Sequence, residues 1–157
     1  MIQIPAPLLA LITAAAEVAY PKECCGLLAG RDDGNGGSAG GGVRVTRIEP
    51  SPNLAEGDQR DSFLVDPKIQ FDLMRDLREG PERIIGHYHS HPDHPARPSE
   101  RDRQSVFYPD HIWVIVRVDG GRAGDVAAYV FDGADGDFRE IGLTQKTRRN
   151  NQPGAPP

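Results

Sequence analysis

The spacing of hydrophobic residues predicts two helices, one near the start of the chain and one near its middle. Apolar residues recur three or four positions apart in both, at Leu8, Leu11, Ile12, Ala15, Val18 and Ala19 and again at Ile69, Leu73 and Leu77. The first helix is predicted over residues 5–19, ending before Pro21. The second is predicted over residues 67–79, where Asp66 is a suitable N-cap and Pro67 occupies the first helical position. Each helix would bury one face.

Short hydrophobic runs predict the strands of a sheet. The predicted strands are residues 24–30, 43–48, 62–65, 83–91, 112–118, 126–131 and 138–141. The near-continuous apolar run 112–118 is typical of a strand covered on both faces. Residues 31–42 predict a flexible turn, and residues 49–61 predict a loop of a length that is often functional. With a short third helix near Ser99, these elements predict an α+β domain with α/β/α-like layers around one central mixed sheet.

Composition is typical of a soluble protein with one domain. The 157 residues are 38% hydrophobic and 26% charged, and the formal net charge is −5. An acidic balance argues against nucleic acid as a partner. The domain is expected over residues 1–144, and the Pro-, Gly- and Asn-rich end of the chain predicts a disordered tail over residues 145–157.

Two features predict the cellular compartment. Cys24 and Cys25 are adjacent, an unfavourable geometry for a mutual disulfide, so free thiols in a reducing compartment are expected. The apolar stretch 8–19 has no basic residue before Lys22, is interrupted by Glu17, and is too short to span a bilayer. The chain is therefore expected to be cytoplasmic and to have no membrane partner.

A histidine-rich stretch is the main candidate for chemistry. Residues 87–94 hold four of the chain's five histidines. Strand alternation places His89 and His91 on the same face. Ser99 and Asp102 are three residues apart at the start of the predicted third helix, so Asp102 can turn towards the two histidines. Two imidazoles and a carboxylate, with a fourth position left to water, are a usual ligand set for catalytic zinc.

Each half of this pattern also has an ordinary structural interpretation. Ser99-x-x-Asp102 is close to a capping box, which by itself only starts a helix. A His-x-His pair in a strand is often structural. Their occurrence together, with Pro92 directly after the histidines, favours a metal site. Ser99 can cap the helix and still present its hydroxyl group to that site.

Hydrolysis at such a site needs a base that takes a proton from water and hands it to the leaving amine. The candidate carboxylates upstream are Glu17, Glu23, Glu49 and Glu56. Glu23 stands out because it lies at the mouth of a buried strand, where an ionised side chain is costly. Periodicity alone favours a solvated linker residue at this position.

The pattern as a whole resembles the JAMM (MPN-plus) metallopeptidase motif. It consists of Glu23 followed by Cys25-Gly26, then His89-Ser90-His91-Pro92, six residues, and Ser99-x-x-Asp102, with every defining position present. The resemblance covers most of residues 1–142. It implies the JAMM/MPN fold, in which helices flank a central mixed sheet and which is related to the cytidine deaminase fold.

The resemblance also implies a role for each residue of the motif. The zinc ligands, for one Zn²⁺ per chain, would be His89, His91 and Asp102. Glu23 would be the general base and acid on the zinc-bound water. Ser99 would stabilise the oxyanion, a role typically worth roughly 10²–10³ in rate.

His87 departs from the family pattern, in which its position is more often aromatic or apolar. By alternation it shares a face with His89 and His91. The alternatives there are a group that contacts a metal ligand from outside, or a spare ligand. A packed, hydrogen-bonded histidine is the expectation.

The function that this resemblance implies is proteolysis. JAMM members cut peptide or isopeptide bonds after the C-terminal glycines of ubiquitin-like proteins, and the short form here is more similar to bacterial members that act on sulfur-carrier proteins of the ubiquitin fold. The expectation is therefore a zinc metallopeptidase that cleaves after the Gly-Gly end of such a partner. One alternative is a catalytically silent scaffold, which loss of a ligand would mark. Another is a zinc hydrolase of a small-molecule amide, such as a deaminase, which would need a Cys-x-x-Cys pair that the sequence lacks.

Overall fold

A computed structural model describes residues 1–34 and 41–145 as three helices and eight strands around one mixed sheet. The elements are β1 (Ile2–Gln3), α1 (Ala6–Ala19), β2 (Cys25–Asp32), β3 (Val43–Ser51), α2 (Pro67–Leu77), β4 (Arg83–Pro92), α3 (Glu100–Gln104), β5 (Ile112–Asp119), β6 (Arg122–Asp132), β7 (Asp137–Ile141) and β8 (Leu143–Thr144). The strand order is β7-β6-β5-β4-β2-β3-β1-β8. Strand β4 pairs in parallel with β5 and antiparallel with β2. The predicted α+β architecture is confirmed.

Helices cover both faces of the sheet. On one face, α1 packs over a core that includes Leu28, Tyr88 and Val114. On the other face, Leu73 of α2 packs against Leu27. Leu27 and Leu28 are neighbours in β2, so strand alternation sends their side chains to opposite layers. The central strands are therefore apolar on both faces, which explains the continuous hydrophobic run of β5.

The two long helices form where the hydrophobic spacing predicts them. Helix α1 buries Leu9, Ile12 and Ala16. Helix α2 begins after Asp66, whose side chain accepts a hydrogen bond of 2.9 Å from the Lys68 backbone N–H. It ends two residues earlier than the predicted position 79.

Gly26 allows β2 and β4 to pack closely. Gly26 is paired with Tyr88 across the two antiparallel strands. A Cβ atom at position 26 would overlap the Tyr88 ring, which is completely buried. Packing therefore requires a glycine at position 26. This position lies directly beside the candidate site residues.

The prediction of a strand over residues 62–65 is wrong. This segment has only an isolated bridge, between Asn53 and Val65. The Asn53 side chain bonds the Ser62 carbonyl at 2.9 Å and the Leu64 N–H at 3.1 Å. A side chain thus takes the place that a neighbouring strand would have, and the segment stays a loop.

The strand count and one boundary also differ from the prediction. Strands β1 and β8 have two residues each, too few for any periodicity, and they raise the count to eight within the described residues. Strand β3 continues to Ser51 and includes Pro50, for which the sequence predicts a loop. Along β3, strand β1 pairs only with Val43 and Arg44, so within the described residues Pro50 lies on a free edge where a missing N–H is tolerated.

Some predictions fall wholly or partly outside the described residues. Positions 35–40 of the predicted turn and the predicted tail from residue 146 onwards belong to this group, so the domain boundary remains a prediction. Cys24 and Cys25 are free and buried, as expected for unpaired thiols. Across residues 1–34 and 41–145, the helices are too short or too polar to cross a membrane.

Candidate metal centre

The end of β4 presents two histidines on one face of the sheet, as strand alternation predicts. The Nε2 atoms of His89 and His91 lie 3.0 Å apart, and both side chains are buried. Ser90 points to the opposite face, where its Oγ accepts a hydrogen bond of 2.8 Å from the Cys24 N–H. This bond joins the end of β4 to the start of β2.

Helix α3 brings a carboxylate to the two imidazoles. Asp102 Oδ1 lies 3.3 Å from His89 Nε2, and Asp102 Oδ2 lies 3.2 Å from His91 Nε2. Asp102 also completes a capping box: its N–H donates to Ser99 Oγ at 3.1 Å, and its Oδ2 accepts from the Ser99 N–H at 2.9 Å. The capping and metal-site interpretations of Ser99-x-x-Asp102 therefore hold together, because the cap orients the carboxylate.

Glu23 reaches the same centre from the segment before β2. Its side chain is 4% exposed, and its Oε1 lies 3.8 Å from His91 Nε2. One donor atom each from Glu23, His89 and His91 lie within 4.8 Å of one another. Within the described part of the chain, Glu23 Oε2 has no hydrogen-bond partner. The interpretation of Glu23 as a solvated linker residue is wrong.

The two carboxyl groups have opposite electrostatic environments. Burial, followed by the charges of Asp102 and Asp61, raises the pKa of Glu23 to about 9. Burial alone would also raise the pKa of Asp102. The His89 imidazole and the Ser99 N–H outweigh it and hold that pKa well below its usual range. Asp102 is thus kept ionised, as a ligand must be, while Glu23 is favoured in a form that carries a proton.

The donor set fits a small divalent cation. Burial lowers the pKa of His89, which favours the neutral imidazole that metal binding requires. The donor separations of 3.0, 3.3 and 3.2 Å among His89, His91 and Asp102 are close to those in zinc sites. Ligand atoms at 2.0–2.2 Å from a tetrahedral zinc lie roughly 3.3–3.6 Å apart.

Two cavities lie near the centre, one lined by His91 and the other by His87. A cavity of about 520 Å³ is lined by His91 and Ser99, with Arg97 and Arg103 among its polar walls. A second cavity, of about 320 Å³, is mostly apolar, and Phe63 forms part of its wall. The centre is therefore reachable by a substrate although its donor atoms are buried.

The packing expected for His87 is present, but its Nε2 lacks a hydrogen bond within the described residues. Its ring lies 4.3 Å from the Trp113 ring, edge to face, and 5.6 Å from the Phe63 ring. Its Nε2 is buried and finds no partner among residues 1–34 and 41–145. The cross-strand neighbour of His87 is Trp113, and aromatic surroundings offer no acceptor. Burial also lowers the pKa of His87 well below its ordinary value.

Two residues beside the centre were not found from the sequence. Phe63 stacks on His89, with ring centroids 4.2 Å apart and planes inclined by 18°. Asn53 donates a hydrogen bond of 3.2 Å to the Glu23 carbonyl. Neither contact has a signal in residue spacing. Asn53 lies in a predicted loop, and the run 62–65 that contains Phe63 predicts a strand without indicating a partner for its side chains.

Comparison with known proteins decides the family. A family model described as prokaryotic homologs of the JAB domain matches residues 5–131. The chain belongs to this family. The matched segment includes Glu23, both histidines and Asp102, so the JAMM resemblance seen in the sequence is confirmed.

Curated JAB-family relatives include two hydrolases. A desampylase of Haloferax volcanii is 28% identical over 123 residues, which is 78% of each chain. A probable TtuB-protein conjugate cleaving protease of Thermus thermophilus is 33% identical over 103 residues, covering 66% of this chain and 61% of the relative. The prediction that the chain is an enzyme of the JAMM hydrolase type is confirmed.

Solved structures show the same fold. A protein from Desulfitobacterium hafniense is similar with a TM-score of 0.77 and 28% identity, over 93% of both chains. A JAB1/MPN domain protein from Archaeoglobus fulgidus has a TM-score of 0.54 and 22% identity, over 91% of this chain and 99% of its own. The latter likeness concerns the fold alone.

Proposed function

We propose that this JAB-family chain is a zinc metallopeptidase with His89, His91 and Asp102 as ligands. In this proposal it hydrolyses a peptide or isopeptide bond after the C-terminal Gly-Gly of a ubiquitin-like protein, with sulfur carriers of the ubiquitin fold as the favoured class. The observation that carries the proposal is the convergence of three donor side chains at 3.0–3.3 Å, with a fourth side chain, Glu23, beside them.

The distances divide the two carboxylates into different roles. Asp102 lies 3.2–3.3 Å from both imidazole nitrogens, whereas Glu23 Oε1 lies 3.8 Å from one of them. Asp102 is also held by the α3 cap, so its orientation is fixed before any ion binds. We therefore assign Asp102 as the ligand and Glu23 as the proton carrier.

The chemistry then follows from the chain's own groups. Zinc, when bound, would polarise the scissile carbonyl and make a water molecule a better nucleophile at neutral pH. The positive charge of a bound cation would favour the ionised form of Glu23. The carboxylate then takes a proton from the attacking water and returns it to the leaving amine. The Ser99 Oγ accepts from the Asp102 N–H, which leaves its own O–H available as a donor to the developing oxyanion.

The substrate class is supported by the curated relatives. Both are named for releasing ubiquitin-like modifiers from conjugates. A linear fusion with Gly-Gly before the scissile bond is therefore a suitable first substrate. The cavity beside His91 and Ser99 would let a substrate reach the centre from solvent.

The deciding experiment replaces Glu23 with Gln. We expect zinc binding near one ion per chain to persist, because the ligands are intact, and turnover of a Gly-Gly fusion to fall by at least about 10³-fold, within the range found for the loss of catalytic residues. Zinc is measured by atomic emission and turnover by the release of the fused group.

The matched ligand variants His89→Ala and Asp102→Asn should lose zinc itself. A fully active Glu23→Gln protein would contradict the assigned base, and zinc retained by both ligand variants would place the metal elsewhere. A zinc-loaded native chain without hydrolytic activity towards any Gly-Gly conjugate would favour the silent scaffold instead.

A further inference from the structure

The two histidines of the centre are oriented in different ways. His91 Nδ1 lies 2.8 Å from the Pro95 carbonyl oxygen, the usual arrangement that fixes the ring of a metal-binding histidine. His89 Nδ1 is buried and has no hydrogen-bond partner in the described residues. Since His89 is completely buried, contacts other than a hydrogen bond must hold the Nδ1 side of its ring.

Aromatic contacts surround the His89 ring. Phe63 stacks on it, with centroids 4.2 Å apart and planes inclined by 18°. Trp113 meets it edge-on, with centroids 5.8 Å apart and planes at 82°. A ring flanked by one parallel and one perpendicular aromatic neighbour has little freedom to rotate about its Cβ–Cγ bond.

Phe63 is itself held in place by hydrogen bonds on both sides of it in the chain. Asn53 Nδ2 donates to the Ser62 carbonyl at 2.9 Å, and the Leu64 N–H donates to Asn53 Oδ1 at 3.1 Å. Asn53 Nδ2 also donates to the Glu23 carbonyl at 3.2 Å. One side chain thus connects the segment that carries Phe63 with the segment that carries Glu23.

We propose that Phe63 is a positioning residue for the metal ligand His89. Its stacked ring fixes the orientation of the His89 ring, as the Pro95 carbonyl fixes that of His91. The inference rests on the proposed metal site. The stack keeps His89 Nε2 aimed at the point shared with His91 Nε2 and Asp102. Asn53 sets the position of the Phe63 backbone.

The consequence is a measurable effect on metal affinity. Removing an outer contact that orients a metal-binding histidine typically weakens binding about 10–100-fold. Phe63→Leu keeps an apolar side chain but removes the aromatic face, so we expect zinc affinity to fall within this range. Phe63→Tyr keeps the ring, and we expect its affinity to stay within about threefold of the native value, since the stacking face is unchanged.

The test is competition for zinc with a chromogenic chelator, using the full chain in each case. Phe71→Leu is the matched control, because Phe71 lies on the outer face of α2 and is 70% exposed. This control should leave zinc affinity unchanged. The visible spectrum of the cobalt-substituted protein is a second readout, and we expect the ligand-field bands to shift in Phe63→Leu but not in Phe63→Tyr or Phe71→Leu.

Phe63 is only partly buried, so folded variants are expected. Should Phe63→Leu not fold, Phe63→Met decides in the same way. Native affinity and an unshifted cobalt spectrum in a folded Leu or Met variant would overturn the inference. A native chain that binds neither zinc nor cobalt would overturn the proposed metal site instead, so the two failures are distinguishable.

Discussion

At the scale of single residues, Asn53 organises the loop between β3 and α2. Its amide donates to the carbonyls of Glu23 and Ser62 and accepts from the N–H groups of Ala55 and Leu64. All four hydrogen-bonding positions of the side chain are therefore used. An asparagine that satisfies so many backbone groups is difficult to replace, even by a side chain of the same shape.

The variant Asn53→Asp tests this role. The new carboxylate would face the carbonyl oxygens of Glu23 and Ser62 without a proton to donate, so we expect roughly 2–4 kcal/mol less stability at pH 8. Urea unfolding measures the loss. Because protonation of the carboxylate restores one donor, the deficit should be smaller at pH 4.5 than at pH 8. An equal deficit at both pH values would mean that the donated hydrogen bonds contribute little.

At the scale of elements, the pairing of β2 with β4 depends on Gly26. The Tyr88 ring occupies the space above this glycine and is completely buried in the core beneath α1. A ring packed on all sides cannot move away cheaply. Strands β2 and β4, which lie beside the candidate metal centre, are thus complementary in shape at the Gly26–Tyr88 pair.

We expect Gly26→Ala to cost about 1–3 kcal/mol of stability through overpacking. Gly133→Ala is the control, because a Cβ atom at position 133 would meet nothing within 4 Å. The double variant Gly26→Ala/Tyr88→Leu should lose less than the sum of the two single variants, as coupling through the shared space requires. Strict additivity in urea unfolding would contradict the assigned contact.

The elements that sequence reasoning predicted are those with a pattern of their own. The apolar stripes of α1 and α2 and the long runs of β4 and β5 were found within a few residues. The two-residue strands β1 and β8 were missed, because their pairing is decided by partners far along the chain. Residues 62–65 have a strand-like composition, but the Asn53 side chain bonds the Ser62 carbonyl and the Leu64 N–H in place of a neighbouring strand.

The candidate site was predictable to a similar extent. Alternation in β4 placed His89 and His91 correctly, and helical spacing placed Asp102 near Ser99. Glu23 stands out among four glutamates by its position at the mouth of a buried strand. Only the resemblance to the JAMM motif assigns it to the site, because no local period connects it to residues more than sixty positions away. Phe63 had no signal, since a ring that packs on a histidine looks like any other core residue in sequence.

At the scale of the whole molecule, the centre exists only when the sheet is complete. Glu23 precedes β2, the histidines end β4, and Asp102 belongs to α3. The unfolded chain therefore presents no preformed site, and metal that binds the folded state alone must stabilise it.

Zinc should accordingly raise the melting temperature. With free zinc at about 100 times its dissociation constant, binding stabilises by about 2.7 kcal/mol. For a chain of this size that corresponds to a rise of roughly 5–10 °C. Calorimetry with and without chelator measures it, and Asp102→Asn should show no response. If the melting temperature of the native chain did not change with zinc, this would argue against a site confined to the folded state.

The pairing of β2 with β4 has a further consequence for where the chain can accept insertions. Cys25 faces His89 in the antiparallel register, and the Cys24 N–H bonds Ser90 Oγ at 2.8 Å. The distance from Glu23 to the histidines is therefore set by adjacent backbone pairs, together with the Asn53 hydrogen bond to the Glu23 carbonyl, and not by connections such as the one between α2 and β4. Insertions in those connections would lengthen the chain without moving the base relative to the ligands.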